Sequence, residues 1–481
     1  MAFSDIREYL KALEAQGLMR RVTREVDHSW EVACLAKWMY QAVPADKRFG
    51  LYFEKIKGSN IPVTTAIFGA TDASVAVALG CKVDEINKTI VNALRNRIKP
   101  NIVNSAPCQE VVLTGDTAKL SILPIPTWTP GKDKAPYLTA ITVTRDHDTG
   151  VQNVAVYRTM VQDDNTVLIN LSNGRQGTRN VKTWFDKGKK APIAWVILTE
   201  PTIHLATVAN LPYGQDEIEL AGGLKGEAID LVPCKMSDLL VPANSEIVIE
   251  GELTEGEFGD EGPFGEFAGF MGPVERKPVA HITAITHRKD AIYHGYSSQI
   301  PPSESTTIQS LMNAGVILYT LNDLLGESAV EDVYIDQNFG GSLAHAIIAM
   351  TPQFPGHGKQ VGRTVADVFS VKRVTVVDPD IDIRDSFHID WAMNSRYSPK
   401  RDTVIIDDIF MPLGMDPSVR DAYGKVSQGS KIVCDATSKF DAGSFSLPSK
   451  ELMEKALVSW KECGLPELEI PKRAKLRIDK S

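Results

Sequence analysis

The spacing of apolar and polar residues divides the chain into an N-terminal α/β part, a β-rich middle and a second α/β part. Behind Ser4, apolar residues at helical spacing predict a helix over residues 4–16 that ends before Gly17. Three further elements complete an α/β segment: a helix around 30–40, a strand over 63–68 and a helix over 83–97. The proline-rich passage 123–131 then breaks regular structure. We therefore place a domain boundary shortly before it.

The middle of the chain carries short runs of β-prone residues. They lie at 138–144, 151–161, 167–171, 194–198, 246–253 and 279–287. Runs of this length and spacing predict a mostly antiparallel barrel or sandwich. After residue 308, helical stretches alternate with strands at 333–335, 346–350, 374–377 and 403–406, which predicts a second α/β unit. A last helix is predicted over 448–464.

These patterns predict a mixed α/β (α+β) protein of four segments. The segments are an N-terminal α/β domain (1–115), a β-rich domain (116–305), a C-terminal α/β domain (306–447) and a terminal helix with its tail (448–481). The length of 481 residues agrees, because it exceeds what one hydrophobic core usually serves.

Composition narrows the class of protein. A formal net charge of −9 disfavours binding to duplex DNA or to an anionic membrane. No run approaches the roughly 18 apolar residues of a membrane span, and the N-terminus lacks the apolar stretch of a signal peptide. The six cysteines lie far apart without a C-x-x-C pair, as expected for reduced thiols. We expect a cytoplasmic enzyme that binds neither nucleic acid nor membrane.

The densest chemical signal is an acidic turn. Glu261 and Glu266 stand five residues apart, separated by Gly, Pro and Gly, so the chain should turn and could bring both carboxylates into one pocket. Walls formed by Phe264, Phe267 and Phe270 would raise the pKa of a carboxyl group by desolvation, as a proton donor at neutral pH requires. On composition alone, an acidic surface turn is the alternative.

A second signal is the β-prone run Val151–Arg158. A buried arginine at the end of a strand could hold a substrate carboxylate through its planar guanidinium group, although a strand-end arginine paired with a surface acid is the alternative. Asn153 and Arg158 would lie on opposite faces of an ideal strand, so a shared site needs a bulge or a twist. Asn153 and Glu217 would suit a hard divalent ion bound to a phosphate.

A third candidate lies in the glycine-rich stretch 424–437. It is not a nucleotide-triphosphate loop, because Ser430 and Lys431 stand in the reverse of the required order. Lys431 could still contact a phosphate or a carboxylate, with a solvated surface lysine as the alternative. The nine histidines form no H-x-x-x-H pair, and for each of them a structural role is expected.

Taken in order, these segments resemble the UbiD family of reversible decarboxylases, from about Ala106 to Trp460. Asn153–Arg158 is similar to the family's Asn-x-x-x-x-Arg strand, and Glu217 with the glycine-rich 221–226 to its metal-binding segment. Further matching segments are 241–251, 261–266 and 429–437.

The resemblance implies a flavin-reductase-like split β-barrel between two α/β segments. It also implies prenylated FMN as cofactor, supplied by a partner flavin prenyltransferase. Asn153 and Glu217 would hold a divalent ion, usually Mn²⁺, and backbone near Ala206 and Thr207 would help to hold K⁺. The residues implied around the cofactor are Asn153, Val156, Tyr157, Arg158, Arg175, Gln176, Glu217 and Lys431.

One position departs from the family pattern. Similar enzymes often have a histidine as a further metal ligand where this chain has Gln176, after Gly174 and Arg175. Because an amide oxygen can also bind a hard ion, Gln176 remains a candidate ligand.

The resemblance assigns the catalytic network to Arg158, Glu261 and Glu266. Arg158 would pair with the substrate carboxylate and be aligned by Glu261. Glu266 would deliver the proton that replaces CO₂, which leaves from a covalent adduct of the substrate with prenylated FMN.

The predicted substrate is an aromatic, heteroaromatic or α,β-unsaturated acid. Its pocket is predicted to contain Ile169, Phe267, Ser305 and Gln309, and the last two favour a hydroxylated or heteroaromatic acid. We expect a homo-oligomer, either a dimer or a hexamer. Three alternatives stay open: carboxylation as the physiological direction, a metal-dependent hydrolase without flavin, and a non-catalytic flavin- or nucleotide-binding module.

Overall fold

The computed structural model describes residues 3–172, 174–212, 214–337, 344–409, 418, 429–440 and 445–479. It divides into two compact units. One is formed mainly by Met1–Val316, and the other by most of the chain from Ile317 onward.

The first unit begins with a small α/β layer. Its elements are α1 (Ile6–Ala15), β1 (Met19–Val26), α2 (Glu31–Ala42), β2 (Gly50–Ile56), β3 (Val63–Thr65), α3 (Asp72–Leu79) and α4 (Ile86–Arg95). Asp5 caps α1 by accepting a hydrogen bond from the Arg7 N–H at 2.8 Å, and the face of α1 that carries Tyr9 and Leu13 is fully buried. Strands β1, β2 and β3 form a sheet that the later strand Tyr293–His294 completes beside β3.

The rest of this unit is rich in strands. Its elements are β4 (Asn101–Ile102), β5 (Val111–Thr114), β6 (Tyr137–Leu138), β7 (Ile141–Arg145), β8 (Gln152–Val156), β9 (Thr159–Val161), β10 (Thr166–Ile169), α5 (Gln176–Phe185), β11 (Ala191–Ile197), α6 (Pro201–Ala206), α7 (Glu217–Lys225), β12 (Asp230–Pro233), β13 (Leu240–Pro242), β14 (Ile247–Glu261), β15 (Phe264–Gly265), β16 (Met271–Gly272), β17 (Glu275–His287) and β18 (Tyr293–His294).

The central sheet of this unit curls into a half-barrel. Its antiparallel strands follow the order β6-β9-β10-β17-β14-β11-β7-β8, and β5 adds to β17. Strand β8 lies at one end of this order and β9 near the other end, yet only Tyr157 and Arg158 separate them in the chain. Three peptide steps reach at most about 11 Å. The sheet must therefore bend until its two ends meet at Tyr157 and Arg158.

The second unit is an α/β layer. Helix α8 (Glu304–Tyr319) leads from the first unit into it, and its other elements are β19 (Val330–Ile335), β20 (His345–Met350), α9 (His357–Val368), β21 (Arg373–Val377), α10 (Ser386–Ser395), α11 (Pro399–Asp402), β22 (Thr403–Ile409), β23 (Gly429–Ala436), α12 (Lys450–Glu462) and α13 (Lys472–Asp479). The sheet order is β19-β20-β21-β23-β22, with β20, β21 and β23 parallel and both edge strands antiparallel. Val374, Val376 and Val433 are fully buried in this sheet.

The fold class predicted from the sequence is confirmed. The helix predicted over 448–464 corresponds to α12, and a further helix, α13, lies in the segment that was predicted as a tail. Two predicted strands are each divided in the structure. The run 138–144 becomes β6 and β7, and the run 151–161 becomes β8 and β9 with a break at Tyr157 and Arg158. The predicted helix over 83–97 is a 3₁₀ turn followed by α4. Within the described residues, no helix is both long and apolar enough to cross a bilayer.

Candidate active site

Arg158 and Glu261 form a bidentate ion pair where the half-barrel closes. Glu261 is the last residue of β14 and Arg158 lies in the break between β8 and β9. The Arg158 Nε donates to Glu261 Oε1 at 2.9 Å, and its Nη2 donates to Oε2 at 2.8 Å. The Glu261 side chain is fully buried and that of Arg158 is 9% exposed. This parallel geometry fixes the plane of the guanidinium group.

Glu266 brings a second carboxylate to the same guanidinium group. It lies in the turn between β15 and β16, is buried, and its carboxylate contacts Arg158. The turn is held by hydrogen bonds from the Glu266 N–H to the Phe270 carbonyl and from the Gly269 N–H to the Glu266 carbonyl, both 2.9 Å. The guanidinium group of Arg158 thus faces two carboxylates, those of Glu261 and Glu266.

An aromatic wall lies beside this cluster. The Arg158 guanidinium carbon lies 5.3 Å from the centre of the Phe264 ring, and Tyr137 packs on Phe264 with ring centres 4.3 Å apart. Burial, followed by the negative charge of Glu261, raises the pKa of Tyr137 above its usual value. Phe264 is buried, whereas Phe270 is 45% exposed. Of the three predicted wall residues, Phe264 therefore shields the cluster and Phe270 does not.

The predicted metal and cofactor residues of the first unit gather around Tyr157. Its hydroxyl accepts a hydrogen bond from the Gly177 N–H at 3.2 Å, at the start of α5. Burial raises the pKa of Tyr157, while Arg175 and Asn153 beside the phenol act in the opposite direction. Glu217, in the first turn of α7, accepts a hydrogen bond from the Val154 N–H at 3.2 Å.

Three polar groups of this cluster are suited to a bound cation and phosphate. The Asn153 side chain lies beside the Tyr157 phenol, and Gln176 Nε2 is buried without a hydrogen-bond partner within the described residues. As N–H donors, the nitrogens of both amides suit a phosphate, and their oxygens suit a cation. Burial raises the pKa of the Glu217 carboxyl to about 7. No cluster of three His, Cys, Asp or Glu side chains occurs in the described ranges, so a metal site here would need the amides.

The remaining predicted cofactor and ion residues occupy varied positions. Val156 ends β8 and Arg175 caps α5, where it is exposed. Ala206 and Thr207 end α6, and both are buried.

Lys431 lies on β23 in the second unit. Its ammonium group donates to the carbonyls of Ala366 and of Phe369, the latter at 2.8 Å. Burial lowers the pKa of Lys431. Residues 424–428 of the predicted phosphate-contacting stretch lie outside the described residues.

The predicted substrate residues belong to two parts of the first unit. Ile169 ends β10 and is fully buried, and Phe267 follows Glu266 directly. Ser305 and Gln309 lie in the first turns of α8. The Ser305 hydroxyl is engaged with the hydroxyls of Ser298 at 2.8 Å and Ser303 at 3.3 Å.

Sequence reasoning missed Glu304, the buried carboxylate that begins α8. It accepts hydrogen bonds from the N–H groups of Ala66 at 2.8 Å, Phe68 at 2.9 Å and Ser297 at 3.2 Å. Burial raises its pKa to about 7. The carboxylate ties the chain before α8 to the N-terminal layer. A Ser-Glu-Ser sequence ahead of an apolar helix is a capping signal, but it does not reveal a long-range role.

Comparison with protein families agrees with this architecture. Three family models match the chain, each described as a domain of 3-octaprenyl-4-hydroxybenzoate carboxy-lyase: the N-terminal domain over residues 10–94, the Rift-related domain over 101–301 and the C-terminal domain over 307–436. The chain therefore belongs to the UbiD family of carboxy-lyases.

Solved structures of related enzymes match nearly the whole chain. An evolved dimeric form of the UbiD-class enzyme HmfF from Pelotomaculum thermopropionicum, in complex with prFMN, is 31% identical, with 93% of this chain and 97% of that chain covered and a TM-score of 0.81. Vanillic acid decarboxylase of Sedimentibacter hydroxybenzoicus in closed form is 26% identical, with 96% and 100% covered and a TM-score of 0.85. The apo 3,4-dihydroxybenzoic acid decarboxylase of Enterobacter cloacae is 24% identical, with 95% of this chain and 100% of that chain covered and a TM-score of 0.81. At this level of identity the match supports the fold alone.

Proposed function

We propose that this protein is a prenylated-FMN-dependent decarboxylase of an aromatic, heteroaromatic or α,β-unsaturated acid. The observation that carries the proposal is the buried cluster in which Arg158 is held by Glu261 through two hydrogen bonds and also contacts Glu266. A guanidinium group fixed in this way can bind a carboxylate, and a second carboxylic acid beside it can return a proton to the carbon that loses CO₂.

The three side chains have separate tasks in this proposal. Arg158 binds and orients the substrate carboxylate, and Glu261 keeps the guanidinium plane fixed so that little reorganisation is needed. Glu266 acts in this proposal as the proton donor and delivers a proton to the carbon after CO₂ has left. The Phe264 ring excludes water from the guanidinium face, which strengthens the electrostatic interactions.

The polar groups around Tyr157 fit the phosphate end of the cofactor. When bound, prenylated FMN would supply an electron sink for the pair of electrons released with CO₂. Its phosphate could lie at the N-terminus of α5 near Arg175, since helix N-termini attract anions. Asn153, Gln176 and Glu217 would provide oxygen ligands for a divalent ion, with Mn²⁺ expected.

Several finer statements remain predictions from the sequence. They comprise K⁺ at Ala206 and Thr207, cofactor contacts of Val156 and Lys431, the pocket roles of Ile169, Phe267, Ser305 and Gln309, the four domain boundaries, a homo-oligomer, a flavin prenyltransferase as supplier, and a cytoplasmic location. The direction of the reaction in the cell is likewise a prediction.

The proposal is tested by co-expressing the chain with a flavin prenyltransferase. We expect purified protein with visible flavin absorbance that releases CO₂ from at least one aromatic or unsaturated acid. Glu266→Gln should keep the absorbance and lose turnover. Protein without bound flavin that hydrolyses its substrate in a metal-dependent way would instead favour the hydrolase alternative, and full activity of Glu266→Gln would refute the assigned proton donor.

A further inference from the structure

The turn that carries Glu266 is not joined to the half-barrel by a strand ladder. Its two short strands, β15 and β16, pair only with each other within the described residues. The ladder between β14 and β17 ends at Glu261 and Glu275, before the turn begins. Because a two-stranded hairpin is at most marginally stable alone, contacts with other segments have to fix the position of Glu266.

Asp133 provides such a contact through the backbone of the turn. The Glu266 N–H points across the turn and donates to the Phe270 carbonyl at 2.9 Å. Successive N–H groups of a strand point to opposite sides, so the N–H of Gly265 points away from the turn. It donates to Asp133 Oδ1 at 3.1 Å. The other oxygen of the same carboxylate, Oδ2, accepts from the Thr129 N–H at 2.6 Å.

The loop that contains Asp133 is fixed to the strand beside Arg158. Within the loop, the Asp133 N–H donates to the carbonyl of the residue four positions earlier, at 2.9 Å. Next to it, buried Trp128 donates through Nε1 to the Tyr137 carbonyl at 3.1 Å. Tyr137 begins β6, which pairs with β9 directly after Arg158. Asp133 thus links the strand that follows Arg158 to the turn that carries the proposed proton donor.

The contact between this loop and the turn is close enough to exclude a side chain. A Cβ on Gly265 would collide with Thr129 Oγ1, so the backbone of the turn lies directly against the loop. On the other side of the turn, a Cβ on Gly272 would lie 3.4 Å from both Arg158 Nη1 and Glu266 Cγ. The turn is therefore enclosed between the loop and the contact of Arg158 with Glu266, and a shift of the turn would change that contact.

We propose that Asp133 is a positioning residue whose carboxylate holds the backbone of the β15–β16 turn, so that Glu266 stays beside Arg158 and the carbon that loses CO₂. The inference rests on the proposed function and assigns Asp133 a role that acts through Glu266. Both oxygens of Asp133 are used by backbone N–H groups, and hydrogen bonds to a charged acceptor are stronger than those to a neutral one. A displacement of about 1 Å is enough to slow catalysis by about 100-fold.

The test compares wild-type protein with Asp133→Asn, both loaded with prenylated FMN by co-expression and assayed with the acid that wild-type protein turns over fastest. An amide has one acceptor oxygen, so one of the two N–H groups would face an NH₂ donor. We expect kcat to fall about 10- to 100-fold while KM and flavin absorbance stay within about twofold, because the Arg158–Glu261 pair is unchanged. In flavin-free protein, hydrogen exchange of the backbone amides of residues 264–272 should become about 10-fold faster.

A double-mutant cycle separates positioning from a general structural role. If Asp133 acts through Glu266, Asp133→Asn should remove little further activity from Glu266→Gln, in which the proton donor is already absent. A residue that only stabilises the fold would lower turnover by the same factor in both backgrounds. Asp133→Glu keeps both acceptor oxygens and covers the case in which Asp133→Asn folds poorly. It should fold, and the extra methylene should lower kcat less than Asp133→Asn does.

Glu250→Gln is the matched control. The Glu250 carboxylate is buried and also accepts one backbone N–H on each oxygen, from Lys235 and from Met236, both at 2.7 Å. Glu250 lies near the start of β14, whereas Glu261 ends that strand. Its replacement should lower Tm, and it should leave kcat and the exchange of residues 264–272 at wild-type values.

Every other outcome overturns the inference. A wild-type kcat in Asp133→Asn does so and leaves the decarboxylase proposal standing, as does an equal loss in Glu250→Gln or a loss that is the same with and without Glu266. Loss of flavin, or a rise in KM, with unchanged exchange of residues 264–272 has the same meaning. Wild-type protein that holds no flavin and releases CO₂ from no aromatic or unsaturated acid overturns both proposals.

Discussion

Replacing Glu261 by glutamine tests whether the ion pair between Glu261 and Arg158 is required for activity. The change keeps side-chain volume but removes the charge, and an amide has one acceptor oxygen for the two hydrogen bonds now present at 2.9 and 2.8 Å. Removing one partner of a buried ion pair costs about 3–5 kcal/mol. Because Glu266 contacts the same guanidinium group, we expect the lower end of this loss of folding stability, ~3 kcal/mol. Because Glu261 no longer fixes the guanidinium plane, we also expect a loss on the order of 100-fold in kcat/KM.

The neighbouring residue provides the control for this experiment. Asp260 precedes Glu261 on β14 and pairs with Arg276 at 3.3 Å, but both of these side chains are more than half exposed. Such pairs contribute ~1 kcal/mol or less, so Asp260→Asn should behave like wild type. The assay is CO₂ release by flavin-loaded protein, normalised to flavin absorbance, with Tm measured for each variant. The reasoning is refuted if Glu261→Gln stays within about threefold of wild type, or if Asp260→Asn loses as much activity.

Three further predictions follow from the same geometry. Glu266→Gln should lower kcat by about 100- to 10,000-fold with little change in KM, because proton delivery is lost while the Arg158–Glu261 pair still binds acid; steady-state kinetics with an unchanged kcat would contradict this. In metal-free protein, the pKa of Glu217 is about 7 in the folded state and 4.5 ordinarily, so the folded state binds this proton more tightly than the unfolded state. The stability that this group contributes is therefore complete below about pH 4.5 and is lost as the pH rises through about 7. Melting curves over this pH range should therefore show a decline that Mn²⁺ reduces and that is smaller in Glu217→Gln than in wild type; an identical slope in Glu217→Gln would refute the assignment. Gly265→Ala should destabilise the protein by about 1–3 kcal/mol and lower activity because its Cβ meets Thr129, whereas the milder contacts of Gly272→Ala should have a smaller effect on Tm.

Much of the architecture was predictable because it depends on local patterns. The first helix, the antiparallel strands and the alternating elements after residue 308 follow from residue spacing. The helix is capped by Asp5 where Ser4 was the candidate, and the run 246–253 belongs to a strand that continues to Glu261. Glu261 and Glu266 were predictable because Gly and Pro between them require a turn. The resemblance to the UbiD family supplied the partnership of these residues with Arg158.

Other parts of the site could not be predicted from local sequence. The 151–161 run gives no sign that it breaks at Tyr157 and Arg158, since the break follows from which strands pair across the sheet. Glu304 looks like an ordinary residue of a helix start. Its buried, hydrogen-bonded state arises from contacts with a segment more than 200 residues away in sequence, at Ala66 and Phe68.

The two-residue connection between β8 and β9 has a consequence for how this enzyme can vary. Loops usually tolerate insertions and deletions, because their length is not tied to the elements they join. Here Tyr157 and Arg158 span the gap between the ends of a curled sheet, and one of them is the residue paired with Glu261. Adding or removing one residue would rotate the arginine away from its carboxylate even if every side chain of the pocket were kept. The two-residue length of this connection is therefore as important for the site as the identity of its residues.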